Sequence, residues 1–451
     1  MKNQHYSRRN FIKQQSLLGL GMFTFGFSAG PMKTAAASPA ASRLVGDVGG
    51  MTLEQLRDQY HAALFDQFIP NMEALVIDHE YGGFMCNVDI QTRERKSEGK
   101  SAWYEGRGLW TYSFLYNNFG KRDDILKVAE GSKDFIVKHI IRDTASAGEF
   151  WPASYNRTGA EASGAGNIYG HLFIAEGLAE FARASGDDRY YQQAKGIILD
   201  CIHRYDQPDY DYHVNYLSSD APVVPGPRVL GHWMVFLRAA TQILEHREDQ
   251  EIEQLAARCV EAIMDHHLNP TYGLMNELLN HDFSRPDNAF ADFSYTGHAI
   301  ETLWMVMFEA ARKKDAELFR RASDAFCRHV KVAADRVYGG FFRSLDHVDH
   351  YTWKVDKVLW LQEEVLIGTL FLLEHTGDAW ARECFADTYR YVQEKFTKPD
   401  YAFWISAGNR KLTEFQRVRA EHYHHPRHLM LNLLTLNRMI ERGGKVSGVF
   451  G

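Results

Sequence analysis

Cysteine is scarce in this chain, and what there is does not pair: Cys86, Cys201, Cys259, Cys327 and Cys384 are scattered with no CxxC spacing. An odd, unpaired set excludes a disulfide framework and reads mostly as buried thiols. No apolar run is long enough to make a stable membrane anchor. The best candidate, Leu17 to Ala29, is short and interrupted by glycines. Positive charge is not in excess either, and a formal charge of −7 argues against nucleic acid and anionic membranes as partners. Gly-rich phosphate loops and dinucleotide fingerprints are missing, so no nucleotide cofactor is expected. Strand-like alternation is almost absent, which leaves helices.

What is present begins with an export signal. Ser7-Arg8-Arg9-Asn10-Phe11-Ile12-Lys13 precedes the mild apolar stretch, and Ala35-Ala36-Ala37-Ser38 follows it as a small-residue cleavage site. A charged start, an apolar centre and an A-x-A site define a signal peptide, and the paired arginines make it the twin-arginine kind. Residues 1–40 are therefore set aside, cleavage is expected after Ala37, and the mature protein is expected in the periplasm. That export route carries folded proteins, which suits a chain that does not rely on disulfides. Residues 41–451 remain as the folded part.

Hydrophobic periodicity gives twelve helices, near 52–75, 102–118, 122–140, 167–184, 187–205, 228–245, 249–268, 297–313, 315–334, 354–375, 378–396 and 427–441. The joints between paired helices carry Asp123, Asp187, Asp249, Asp315 and Asp378, spaced by 64, 62, 66 and 63 residues. Each Asp is placed to N-cap the second helix of its pair. Each joint leads into an amphipathic run containing an alanine: Ala129, Ala194, Ala256, Ala322 and Ala386. A fixed period of this size without strands signals an array of helical hairpins. Six hairpins cannot bury their apolar stripes singly. An open solenoid would need polar capping repeats, and none is evident. The expected fold is all-α: an (α/α)6 toroid in a single domain. The longer connections then gather at one end of the ring, where sites are usually built. Gly82-Gly83-Phe84 and Gly339-Gly340-Phe341 mark short hairpins within them.

Where these connections enter their helices stand Arg107, His171, His232, His298, Trp360 and His424, at steps of 64, 61, 66, 62 and 64. Singly, each has an ordinary structural reading. Their shared period places them together at one mouth of the ring.

The segments around these positions resemble the N-acylglucosamine 2-epimerase and cellobiose 2-epimerase family. Trp103-Tyr104-Glu105-Gly106-Arg107-Gly108-Leu109-Trp110 is similar to its W-x-x-G-R-x-x-W segment, and Thr296-Gly297-His298-Ala299-Ile300-Glu301 to its G-H-x-I-E motif. Lys357-Val358-Leu359-Trp360-Leu361-Gln362-Glu363-Glu364 resembles K-x-W-W-x-Q-A-E, and Tyr423-His424-His425-Pro426-Arg427 resembles F-H-V-P-R. Leu230-Gly231-His232-Trp233-Met234 matches more loosely. The likeness runs in order along the mature chain and implies the same toroid. It implies that His298 and His424 are the catalytic pair. It also implies that Arg107, Trp103, His171, His232, Glu301, Trp360 and Glu364 surround the sugar. The chain departs from the pattern at Leu359, in place of a tryptophan, and at Glu363, in place of a small residue. His425 stands beside His424 as a competitor for its role.

Inverting C2 of a reducing sugar needs a base to remove the C2 proton and an acid to return one on the opposite face. Two imidazoles suit both tasks. Arg107 would stabilise the developing oxyanion, and Glu301, three residues on from His298, would orient that imidazole. Proton return to C1 instead would make an aldose–ketose isomerase. A glycoside hydrolase or lyase on the same toroid would need paired carboxylates, for which Asp287, Asp292, Glu301 and Glu364 are available. A non-catalytic sugar binder would have no use for facing histidines. No metal is expected: the run His422, His424, His425 and His428 invites one, but Pro426 is expected to break the helix between them. Some members of the family are activated by ATP, which an exported enzyme does not meet, so no cofactor is expected. The expected partners are a mono- or disaccharide and, through the outer helices, a second copy of the chain.

Overall fold

The computed structural model describes residues 44–141 and 149–450. The signal segment expected over 1–40 lies outside the described residues, all of which belong to one compact unit, Ser42–Gly451. No helix among them is long and apolar enough to cross a membrane.

The first helix, α1 (Leu53–His61), runs through a π-helical stretch, Ala62–Phe68, into α2 (Ile69–Leu75). Five hairpins follow: α3 (Ala102–Asn118) with α4 (Asp123–Phe135), α5 (Ile168–Ser185) with α6 (Asp188–Tyr205), α7 (Leu230–Leu244) with α8 (Gln250–Glu261), α9 (Thr296–Lys313) with α10 (Ala316–Ala333), and α11 (Leu359–Thr376) with α12 (Ala379–Lys395). The last helix, α13 (His424–Glu441), pairs with α1 and so makes the sixth hairpin from the two ends of the unit. Each first helix packs on the next: α3 on α5, α5 on α7, α7 on α9, α9 on α11, α11 on α13, and α13 back on α3. The ring is closed. This is the (α/α)6 toroid that the repeat period implies.

Composition sorts the helices into two shells. Every residue of α7 from Leu230 to Ile243 is buried, because an inner helix touches neighbours all round. An outer helix such as α8 buries only Ile252, Leu255, Ala256 and Cys259, a single stripe at helical spacing. Ala129, Ala194, Ala256 and Ala322 sit fully buried where outer helices approach the inner shell.

Four of the five joint aspartates cap as expected. Asp187 accepts from the Arg189 N–H, Asp249 from Glu251 and Ile252, Asp315 from Leu318, and Asp378 from Ala381. Asp123 does not. It is the first residue of α4, preceded by Arg122, and with Asp124 it puts carboxylates in the first turn, where they face the positive end of the helix instead. Two helix starts also differ from expectation. The segment 352–358 forms short strands, so α11 begins at Leu359 and not near 354. Pro426 does not break α13. It is the third residue of that helix, where the missing N–H has no intrahelical partner to lose.

Two connections are held by the same clasp. Asp78 receives the Lys100 ammonium at 3.0 Å and Arg157 Nε at 2.9 Å, while the Phe84 N–H donates to Glu105 at 2.9 Å. In the second copy Asp335 receives Lys357 at 2.9 Å and Arg410 Nε at 2.8 Å, and the Phe341 N–H donates to Gln362 at 2.9 Å. Both turns carry paired glycines at positive φ, and a Cβ at Gly83 would come within 2.3 Å of the Glu105 carboxylate. Glu105, buried where its twin is an amide, is pushed up to about 8 by that burial. It therefore sits as a neutral acid near pH 7. Elsewhere, buried His329 pins the Leu274–Met275 strand: its Nε2 accepts from the Met275 N–H at 2.9 Å, and its Nδ1 faces the Ala325 carbonyl at 2.8 Å. At the seam of the ring, Val45 N–H donates to the Gly444 carbonyl at 2.8 Å, beside a bridge between Leu44 and Lys445.

Candidate active site

Every connection that precedes an inner helix enters the ring at the same end. Three of them deliver their helix through a two-residue strand pair: Lys100–Ser101 with Ser154–Tyr155, Arg228–Val229 with Leu278–Leu279, and Lys357–Val358 with Ala407–Gly408. These pairs fix the rotation with which α3, α7 and α11 begin. The first turns of the inner helices enclose a cavity of about 200 Å³. Its lining includes Trp103 and Arg107 from α3, His298 and Glu301 from α9, Trp360 from α11, and His424 and Arg427 from α13.

Each catalytic candidate has a buried carboxylate behind it. His298 Nδ1 lies 2.9 Å from Glu277 Oε1, and His424 Nδ1 lies 2.9 Å from Glu364 Oε1. A carboxylate on Nδ1 holds the proton there and leaves Nε2 directed to the cavity. Neither Nε2 has a hydrogen bond among the described residues, and the two side chains keep 15% and 11% exposure in an otherwise buried shell. The Trp360 ring stands near both imidazoles, with centroids 6.1 Å from His298 and 5.4 Å from His424.

The two environments differ electrostatically. Burial works against a charged His298, but the Glu277 charge and hydrogen bond prevail and hold the imidazole above its usual value. Burial dominates at His424, opposed by Glu301 and reinforced by Arg427, and takes it down to about 3. The two rings are therefore pushed in opposite directions, His298 toward its charged form and His424 toward its neutral one. Arg427 is the reason Glu364 and Glu301 can share so small a space. Its guanidinium donates to both carboxylates and is itself 1% exposed.

Arg107 forms no hydrogen bond or ion pair among the described residues. Its guanidinium lies 4.0 Å from the Phe173 ring centroid and 4.6 Å from that of Tyr423. An arginine held by aromatic faces keeps its N–H donors available for substrate oxygens. Arg238 reaches the same cavity from α7, with Glu176 behind it at 3.4 Å.

Not every residue in phase arrives. His171 turns away from the cavity and stacks on Trp151 with centroids 3.7 Å apart, while Tyr169 and Phe173 of the same helix form the lining. His232 is fully buried beneath the wall, between Tyr212 and Tyr169, and Met234, Val235 and Arg238 take the lining positions on α7. Glu301 does not orient His298. It pairs with Arg427 and lies 3.8 Å from His424 Nδ1, whereas Glu277, which the sequence did not single out, holds His298. His425 points to the outer side of α13, against Glu363, Phe68 and Trp404.

With this geometry in view, the comparisons are specific. The family model described as N-acylglucosamine 2-epimerase (GlcNAc 2-epimerase) matches residues 82–427. The chain belongs to that family. The matched span contains every residue of the cavity named above. The N-acylglucosamine 2-epimerase of Bos taurus is 22% identical over 388 residues, covering 81% of this chain and 87% of its own. The cellobiose 2-epimerase of Bacteroides fragilis is 23% identical over 371 residues, covering 78% and 91%. Among solved structures, the cellobiose 2-epimerase from Spirochaeta thermophila superposes with a TM-score of 0.72 at 16% identity, over 86% of this chain and 98% of that one. The toroid is thus shared over 86% of this chain.

Proposed function

We propose that this protein is a carbohydrate epimerase that inverts C2 of a reducing mono- or disaccharide by proton transfer between His298 and His424. The observation that carries the reading is the doubled His–carboxylate arrangement: two imidazoles with Nδ1 anchored and Nε2 directed into one cavity. In the open-chain sugar the carbonyl acidifies the C2 proton. Neutral His424 is poised to remove it, giving a planar enediolate. His298, which Glu277 biases toward its charged form, is placed to return a proton to the other face. Arg107, with Arg427 and Arg238 behind it, stabilises the charge that develops on the sugar oxygens. For the opposite epimer the two imidazoles exchange roles.

Carboxylate chemistry has less support. Glu301 and Glu364 are both committed to Arg427, Asp287 is exposed, and Asp292 does not line the cavity. Among the described residues that line the cavity, Glu301 is the one carboxylate, so no carboxyl pair of the kind hydrolysis needs is present there.

The test is to incubate the protein in D2O with N-acetylmannosamine, mannose, cellobiose and mannobiose and to follow the C2 proton by NMR. Deuterium should enter C2 with at least one of these sugars, and His298→Ala and His424→Ala should each abolish it. Formation of a 2-epimer identifies the epimerase. A ketose product would reassign the same site to aldose–ketose isomerisation. No exchange with any of the four sugars would sink the reading for these substrates. The N-terminal Arg8-Arg9 segment supports a periplasmic location, which Arg8→Lys/Arg9→Lys followed by cell fractionation checks.

A further inference from the structure

The two motif positions that carry unusual acid–base residues meet each other. Glu363 stands where the resembling motif has a small residue, and His425 stands where its motif has valine. In the structure His425 Nδ1 lies 2.5 Å from Glu363 Oε1, on the outer side of α11 and α13, away from the sugar cavity. His428, one turn further along α13, brings its Nδ1 to 3.4 Å from the same oxygen. All three side chains are at most 5% exposed.

Their polar atoms are not fully used. Glu363 Oε2 and His428 Nδ1 are buried without a hydrogen-bond partner. Buried polar atoms are costly to leave unpaired, so this cluster asks for a further partner. A carboxylate oxygen and two imidazole nitrogens, all within 4.8 Å of one another, are a donor set for a divalent transition ion. The separation of 3.4 Å is already close to the edge of a small tetrahedron with ligand bonds of about 2.0–2.1 Å. His428 also has the outer partner that ligating histidines usually have: its Nε2 lies 2.9 Å from the Tyr60 hydroxyl, which in turn accepts from Asn432 at 3.0 Å. His425 lines an outer cleft of about 560 Å³ between α1, α2 and α12, which gives an access path to the cluster.

We propose that Glu363, His425 and His428 form a binding site for a zinc-type divalent ion, separate from the sugar cavity. The ion takes the place of the proton between His425 and Glu363 and clamps α11 to α13. Because Glu363 and His425 directly adjoin Glu364 and His424, the clamp sits behind one half of the catalytic pair.

Cobalt(II) is the probe, because a tetrahedral N/O site gives visible d–d absorption. Tag-free protein, stripped with chelator, is titrated with CoCl2, and metal content after gel filtration is measured by mass spectrometry. One equivalent is expected, with d–d bands, and a melting temperature that rises on loading. Glu363→Ala/His425→Val, which restores the residues of the family pattern, should lose the bands and weaken binding by more than the roughly 10–100-fold that removal of an outer partner costs. His425→Gln alone serves if the double variant does not fold. His424→Ala should keep the ion. Absence of stoichiometric binding by the wild type overturns the proposal. So does cobalt that persists in Glu363→Ala/His425→Val but is lost in His424→Ala, since the ion would then belong to Glu301, Glu364 and His424.

Discussion

Glu277 reaches His298 from outside its helix, Oε1 to Nδ1 at 2.9 Å, and displaces Glu301 from the task of orienting that ring. Against the effect of burial, this contact biases one of the two imidazoles facing the sugar toward its charged form. Glu277→Gln keeps the shape and removes the charge, so the His298 pKa should fall. The alkaline limb of kcat/KM, measured in the direction that uses His298 as acid, should move to lower pH. A loss on the order of 10²-fold in kcat is expected. An unchanged pH profile would argue that Glu277 only packs.

Arg427 neutralises two buried carboxylates at once. Arg427→Met leaves Glu301 and Glu364 without a counter-charge and should cost about 3–5 kcal/mol of stability. It also removes the charge that helps depress His424. The acid limb of activity should therefore rise toward neutral pH. Thermal melts and a pH–rate profile on the same preparation test both parts.

The two clasps make a paired prediction. Glu105 has a raised pKa, so the folded state binds its proton more tightly than the unfolded chain, and stability is lost as pH rises from the ordinary carboxyl range through about 8. Glu105→Gln, which copies Gln362 of the twin, should abolish that loss. The variant should melt higher than wild type at pH 8 and close to it at pH 5.

His329 has the opposite sign. Its Nε2 must stay bare to accept from Met275, and burial takes the ring down to about 4. The unfolded chain therefore binds the proton first, and stability falls as pH drops from about 6.5 toward 4. His329→Gln should flatten the slope of melting temperature in that window. A slope equal to wild type would mean that other buried histidines, such as His267 and His422, carry it.

The ring was legible in the sequence because its period is carried by residues with local jobs: capping aspartates, buried alanines and helix-start motifs. Asp123 failed as a cap because its joint places it one residue inside the helix. Phase served the site less evenly. Arg107, His298, Trp360 and His424 share the cavity, but His171 and His232 sit two residues from lining positions on their own helices. Two residues turn a side chain by about 200°, so a small shift in how a loop enters its helix decides between cavity and wall. Glu277 could not be read at all, since it lies in an irregular connection with no period to mark it. Arg427 was visible inside the motif at Tyr423–Arg427, yet its role depends on two carboxylates from other helices, a relation that exists only in three dimensions. The metal reading was discounted on Pro426, and its place in the first turn of α13 removes that objection.

The seam at Val45 and Gly444 has a practical corollary. Because the two ends of the folded unit lie side by side and jointly complete one hairpin, a short linker could join them. New ends could then be opened at an outer joint such as Gly120–Arg122 without breaking the inner ring. In such a permuted chain α13 and its His424 would be synthesised before α3 and its Arg107. The toroid would become an architecture in which the order of assembly, and not only the finished structure, is open to design.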